Sequence, residues 1–320
     1  MLNQQSYDKI QQIADEVEKV IVGKREVVKL LLIGLLSGGH VLIEDVPGVG
    51  KTTLATALGK SMGLVCKRAQ FTPDVMASDI TGFSMFNKNT GEFEYRKGLV
   101  MCNILLADEI NRTSPKTQSA LLESMEEKTV TVDSTVFALP KPFMVIATQN
   151  EMGYVGTYPL PEAQLDRFLM KVSMGYPTLE QEIGIIADRQ TADPLSQIKP
   201  LCTQDEINDI IAGVREIKIE DSVYEYIVKL VAATREHKRV QLGASPRASL
   251  MLMRASQSSA FVSGRLYVTP EDVAGMFRHV LSHRLILTQE SKIKRVSERD
   301  VLNEIVRTVN PPFVKQSNYQ

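Results

Sequence analysis

Pro47-Gly48-Val49-Gly50-Lys51-Thr52-Thr53 follows closely on the apolar run Val41-Leu42-Ile43 and leads into a helix-forming stretch, Leu54-Ala55-Thr56-Ala57-Leu58. Small residues there let backbone N–H groups close around phosphate oxygens, Lys51 reaches the terminal phosphates, and the Thr52 hydroxyl can ligate Mg²⁺. Asp45 stands where such loops usually begin with glycine, yet the cradle from Gly48 to Thr52 is complete. A helix starting at this point directs its partial positive N-terminus at the anion. The spacing predicts binding of a nucleoside triphosphate.

A second group of residues fits the transfer of a phosphoryl group. Asn103-Ile104-Leu105-Leu106-Ala107-Asp108-Glu109 is an apolar strand that ends in two carboxylates. Asp108 could hold the Mg²⁺ shell with Thr52, while Glu109 orients or deprotonates an attacking water. In a doubly wound sheet their strand is expected beside the phosphate-loop strand. Asn150, after the run Phe143–Thr148, offers a neutral amide to a terminal phosphate and the lytic water; its ordinary use is as a turn residue. Arg167, after a short helix, could neutralise transition-state charge from a neighbouring subunit, or pair with Asp166 on the surface. Ser245-Pro246-Arg247 reads as cap, first-turn proline and an arginine at the positive end of a helix, which calls for an anion opposite or for solvent. His279 and His283 have no third ligand candidate and read as ordinary helix residues, and Met251 and Met253 as core filler.

The elements that must position these groups alternate between strand and helix, the mark of a parallel α/β sheet. Two amphipathic helices over residues 6–37 precede strand 41–45, the loop, a helix to about Met62 and a strand over 64–69. Segments 84–98 and 129–138 read as inserted hairpins, the first around Asn89-Thr90-Gly91 and the second around Asp133-Ser134. Ser114-Pro115 opens a helix running to about Lys128. After Tyr176-Pro177 helical periodicity takes over. The expected organisation is an α/β core over 1–178, an all-α domain over 179–310 with Thr191–Pro194 as an internal loop, and a polar tail over 311–320.

Lys+Arg 37 against Asp+Glu 38 over 320 residues leaves a net charge of −1, which gives no electrostatic footprint for nucleic acid or an anionic membrane. Cys66, Cys102 and Cys202 form neither a disulfide framework nor a zinc knuckle. The longest apolar run, Leu30–Leu36, is far shorter than the ~20 residues that span a bilayer. A cytoplasmic protein without membrane insertion is expected.

Taken together these residues resemble the MoxR family of AAA+ ATPases. The matches are Val20–Gly23, Val46–Thr52, Ala107–Arg112, Lys116–Leu122, Ala147–Asn150 and the long block Gly156–Phe168. The resemblance implies a P-loop core with a smaller helical lid, ATP and Mg²⁺ as cofactors, and Val22 and Gly23 at the nucleotide. Asn150 would be sensor 1, Arg167 the arginine finger and Arg247 sensor 2. Glu151-Met152 stands where the family usually has proline after the asparagine, a departure in the loop that follows. Members are expected to form rings, commonly hexamers, and to act as chaperones on proteins with a von Willebrand A domain, in maturation or metal insertion. Magnesium chelatase ATPase subunits share the Leu165–Phe168 pattern. The alternatives are a nucleotide-gated assembly module in which hydrolysis only resets the state, and a nucleic-acid translocase, which the neutral charge disfavours.

Overall fold

The computed structural model describes residues 2–44, 48–149, 157–188 and 194–313. Asp45, Val46, Pro47, Asn150, Glu151, Met152, Gly156, the Thr191–Asp193 loop and the tail from residue 314 lie outside the described residues.

Helix α1 (Gln4–Glu18) starts where the Asn3 side chain accepts from the Ser6 N–H, and it buries Ile10, Ile13, Ala14 and Val17 along one stripe. Helix α2 (Arg25–Leu36) is apolar almost all round and correspondingly buried. Then come β1 (Val41–Glu44), α3 (Lys51–Ser61), β2 (Cys66–Gln70) and α4 (Ala77–Thr81), followed by the hairpin β3 (Gly82–Asn87) and β4 (Glu92–Lys97). Strand β5 (Ile104–Asp108) leads through a single 3-10 turn to α5 (Pro115–Glu127), which Ser114 caps. The second hairpin is β6 (Thr129–Val132) with β7 (Thr135–Ala138); Asp133 and Ser134 both take positive φ, as its tight turn requires. Tyr95 and Phe137 stack at 4.1 Å between ring centroids and lock the two hairpins together, while Phe83, Phe86 and Phe93 stay exposed.

Strand β8 (Met144–Gln149), helix α6 (Glu162–Leu165) and strand β9 (Met170–Val172) complete the first part. The main sheet is wholly parallel in the order β2-β5-β8-β1-β9. This corrects the expectation that the strand bearing Asp108 adjoins the phosphate-loop strand: β8 lies between them. The fully buried Met144–Thr148 run, apolar up to Ala147, suits that central slot, covered on both faces. Alternation along β1 sends Val41 and Ile43 to one buried cluster and Leu42 to another. The first cluster also contains α1, α2, α3 and most of the later helices; the second contains α4 and α5 residues.

The remainder is helical: α7 (Leu179–Asp188), α8 (Pro194–Gln197), α9 (Gln204–Val214), α10 (Asp221–Glu236), α11 (Pro246–Val262), α12 (Pro270–Leu281), α13 (Gln289–Ile293) and α14 (Glu298–Thr308). A small antiparallel ribbon, β10 (Val240–Leu242) with β11 (Ile286–Leu287), interrupts it. Neither this ribbon nor β9 was expected, since strands of two or three residues carry no periodicity to read.

Candidate active site

Gly48 and Gly50 hold φ of 87° and 91°, a region that residues with a Cβ seldom enter, and a Cβ on Gly48 would meet open space. The loop therefore leaves its backbone uncovered where it turns into α3, which begins at Lys51. Leu54, Ala55, Ala57 and Leu58 are buried and fix the helix, while Thr52 and Thr53 stay half-buried on its first turn. Val49 packs on the first core cluster. Ile21 Cδ1 lies 3.8 Å from a Cβ built on Gly50, so the Val20–Gly23 segment borders the loop. The Gln181 amide of α7 presses on Gly23, and Lys24 Nζ donates to the carbonyls of Met174, Gly175 and Tyr176. A bare loop at a helix N-terminus beside a bordering apolar segment fits a nucleoside triphosphate.

At the tip of β5, Asp108 is buried and Glu109 takes φ 57° and ψ 49°, a strained choice for a residue with a side chain. Thr148 of β8 fixes both: its hydroxyl donates to Asp108 Oδ1 at 3.3 Å and accepts the Glu109 N–H at 2.8 Å. Arg68 Nε of β2 donates to Asp108 Oδ2 at 2.7 Å. Gln70 Nε2 and Arg112 Nη1 each donate to Glu109 Oε2 at 2.8 Å. Each carboxylate is thus held by cationic or amide donors from β2 and from the turn after β5. Sequence reasoning missed Arg68 and Gln70; the blocks Ala107–Arg112 and Ala147–Asn150 contained Arg112 and Thr148 without assigning them a role.

Arg167 and Arg247 lie elsewhere. Both line a cavity of about 110 Å³ with Gly38, His40, Glu126, Lys128 and Arg254, at the N-terminal end of β1. Roughly 13 Å of strand, four residues at ~3.3 Å each, separates that end from the phosphate loop. Arg247 pairs with Glu126 of α5, so the anion opposite it within this chain is a carboxylate. Asp166 does not serve Arg167; it is engaged by Arg284 and Ser245. Burial together with Arg215, Arg254 and Lys141 pushes the Lys128 ammonium below its usual value. His40 closes the cavity floor: the Val145 N–H donates to its Nδ1 and its Nε2–H donates to the Met125 carbonyl, and burial holds its pKa down at about 4. His283 is half-buried, its Nε2 3.1 Å from the Phe168 carbonyl, and desolvation with the neighbouring Arg284 guanidinium holds its pKa well below the usual value.

A family model described as the ATPase family associated with various cellular activities (AAA) matches residues 40–170, and an AAA lid domain model matches residues 232–305. The chain is 49% identical over 303 residues to the uncharacterized protein YeaC of Bacillus subtilis, covering 95% of each. It is 41% identical to the chaperone MoxR1 of Mycobacterium tuberculosis, covering 93% of this chain and 81% of the relative. Protein MoxR of Methylorubrum extorquens is 28% identical over 93% of each chain. A crystal structure of a Cytophaga hutchinsonii protein assigned as an ATPase superposes with a TM-score of 0.90 at 40% identity, covering 97% of this chain and 96% of the other.

Proposed function

The chain belongs to the MoxR family of AAA+ ATPases, and from that premise we propose that it hydrolyses ATP in sites shared between neighbouring copies of a ring, six as the family leads one to expect. We read residues 1–178 as the ATPase core and 179–310 as its lid. Lys51 and the backbone from Gly48 to Gly50 bind the terminal phosphates, with Pro47, Thr53, Val22 and Gly23 around the nucleotide. Thr52 and Asp108 present only oxygen donors, the set that suits Mg²⁺, and bound there it neutralises charge on the transferring phosphoryl group. Glu109 orients and deprotonates the attacking water once its carboxylate is released by Gln70 and Arg112. Asn150 supplies a neutral hydrogen-bonding group to the terminal phosphate and the water.

A shared site is supported by one observation above all: Arg167 and Arg247 sit at the end of β1 opposite the phosphate loop. Cations so placed reach a terminal phosphate only on another copy, where an arginine finger contributes ~10³–10⁵ in rate. The coupled work is chaperone-like remodelling or maturation of a partner protein, including metal insertion, and a von Willebrand A domain is the partner type expected. The relative named a chaperone supports that direction.

Light scattering during size exclusion, with and without Mg-ATP, tests this when phosphate release is measured in the same fractions. Specific activity should rise with the larger species; activity independent of concentration in a strict monomer overturns the shared site. The hold that Gln70 and Arg112 keep on Glu109 favours a second reading, a nucleotide-gated assembly module in which turnover only resets the state. Partner maturation restored by a non-hydrolysable analogue alone would decide for that module.

A further inference from the structure

Arg284 is the most deeply buried cation with a described ion pair, 2% exposed in its side chain, and its bonding is concentrated on one short stretch of backbone. Its Nε donates to Asp166 Oδ1 at 2.7 Å and its Nη2 to the carbonyls of Asp166 at 3.1 Å and Phe168 at 2.5 Å. Nη1 reaches the Leu169 carbonyl at 3.3 Å and that of Val280 at the end of α12, just ahead of the 3-10 turn that carries Arg284. A guanidinium from the helical part thus grips the chain on both sides of Arg167, leaving the Arg167 side chain to the cavity. Burial pushes Arg284 down to about 10, so it stays charged at neutral pH.

The other oxygen of Asp166 carries the connection onward. Ser245 occupies the cap position of α11, yet its hydroxyl makes no bond to that helix and donates instead to Asp166 Oδ2 at 3.1 Å. A capping serine normally spends its oxygen on the first-turn N–H groups. Here that contribution is exchanged for a tie between the segment carrying Arg167 and the helix carrying Arg247. One carboxylate therefore registers both arginines against each other and against the helical part.

We propose that Asp166 and Arg284 are positioning residues for hydrolysis: a bracket between lid and core, buried at its guanidinium, that holds Arg167 and Arg247 in register for the neighbouring copy's phosphates. The inference rests on the shared-site reading above. Stability alone accounts poorly for the arrangement, because an ion pair with one partner buried and the other half-buried is often no better than apolar packing. A bracket built on carbonyls either side of one arginine instead restricts where that arginine points.

The test uses full-length protein with Asp166→Asn, Arg284→Lys or Ser245→Ala, each also mixed with Lys51→Ala subunits, and Arg167→Ala run in parallel. Asp166→Asn is expected to lower kcat by ~10²-fold, part of the finger's effect, with KM for ATP within about two-fold. Mixing should restore activity, because the variant's intact phosphate loop then receives a well-held finger from a Lys51→Ala neighbour. Ser245→Ala removes only the tie to α11 and should lower kcat several-fold, which decides the matter if the other variants fail to fold. Wild-type kcat in Asp166→Asn or Ser245→Ala, or a loss that mixing does not recover while Arg167→Ala recovers, overturns the bracket and leaves the finger intact. No recovery for Arg167→Ala itself overturns the shared site, and the bracket falls with it.

Discussion

Glu109 combines a costly backbone with a crowded carboxylate. Its left-handed φ of 57° costs on the order of 1–3 kcal/mol and turns the side chain back toward Gln70 and Arg112 instead of onward along the strand. Glu109→Gln keeps the size and the hydrogen bonds but removes the base. Phosphate release should fall ~10²–10⁴-fold while nucleotide affinity, read by titrating a fluorescent analogue, stays nearly unchanged. Hydrolysis at the wild-type rate would take Glu109 out of the chemistry. The places of Lys51 and Thr52 at a helix start and of Asp108 and Glu109 at a strand tip were legible because each belongs to a short stretch whose order carries its meaning. Arg68 and Gln70 were not, since their part depends on β2 pairing with β5 so that Gln70 lies beside Asp108. No spacing within either strand announces that register.

Among the elements, α3 and β1 decide whether the loop is held in place. A Cβ on Gly59 would come within 2.8 Å of Cys66 Cβ, so α3 lies almost flush against β2. Gly59→Val should push the helix off the sheet, costing ~1–3 kcal/mol by overpacking and weakening nucleotide binding along with it. Thermal melts with and without nucleotide measure both effects; an unchanged melting point would mean that the helix has room to move. His40, just ahead of β1, joins β8 to the end of α5 and is neutral in the folded state. Its folded pKa of about 4 lies below the ordinary 6.5, so the unfolded chain takes up the proton first as pH falls. The stability it contributes is complete above about pH 6.5 and is lost as pH falls toward 4, at most about 3 kcal/mol. Urea unfolding across that range should show a shallower acid loss in His40→Gln than in wild type, with His283 adding a remaining slope of the same sign. Helices and hairpins were readable from caps, turns and periodicity, but the place of β8 between β5 and β1 was not. Strand order in a parallel sheet depends on which crossover packs where, and several orders satisfy the same alternation.

For the whole molecule, the change to mainly helical patterning after Pro177 was visible in the sequence, whereas the β10–β11 ribbon and the packing of later helices onto α2 were not. Leu31 and Leu35 of α2 share one buried cluster with Leu252 and Ala255 of α11. Such long-range partners leave no local signal, because any apolar stripe is compatible with many others. Among the described residues no helix is long and apolar enough to cross a membrane. If the shared-site reading holds, dilution should lower specific activity below the assembly midpoint, and Mg-ATP should move that midpoint to lower protein concentration; a midpoint indifferent to nucleotide would count against it. On that same reading, the cradle and its complementary cations at opposite ends of one strand have a further consequence, because a contact that completes a shared site is then head to tail. Such contacts have polarity: they close into a ring with two unlike faces or wind into a spiral whose last cradle lacks a donor. A client protein meeting such an assembly would encounter a sense of direction that no single copy possesses.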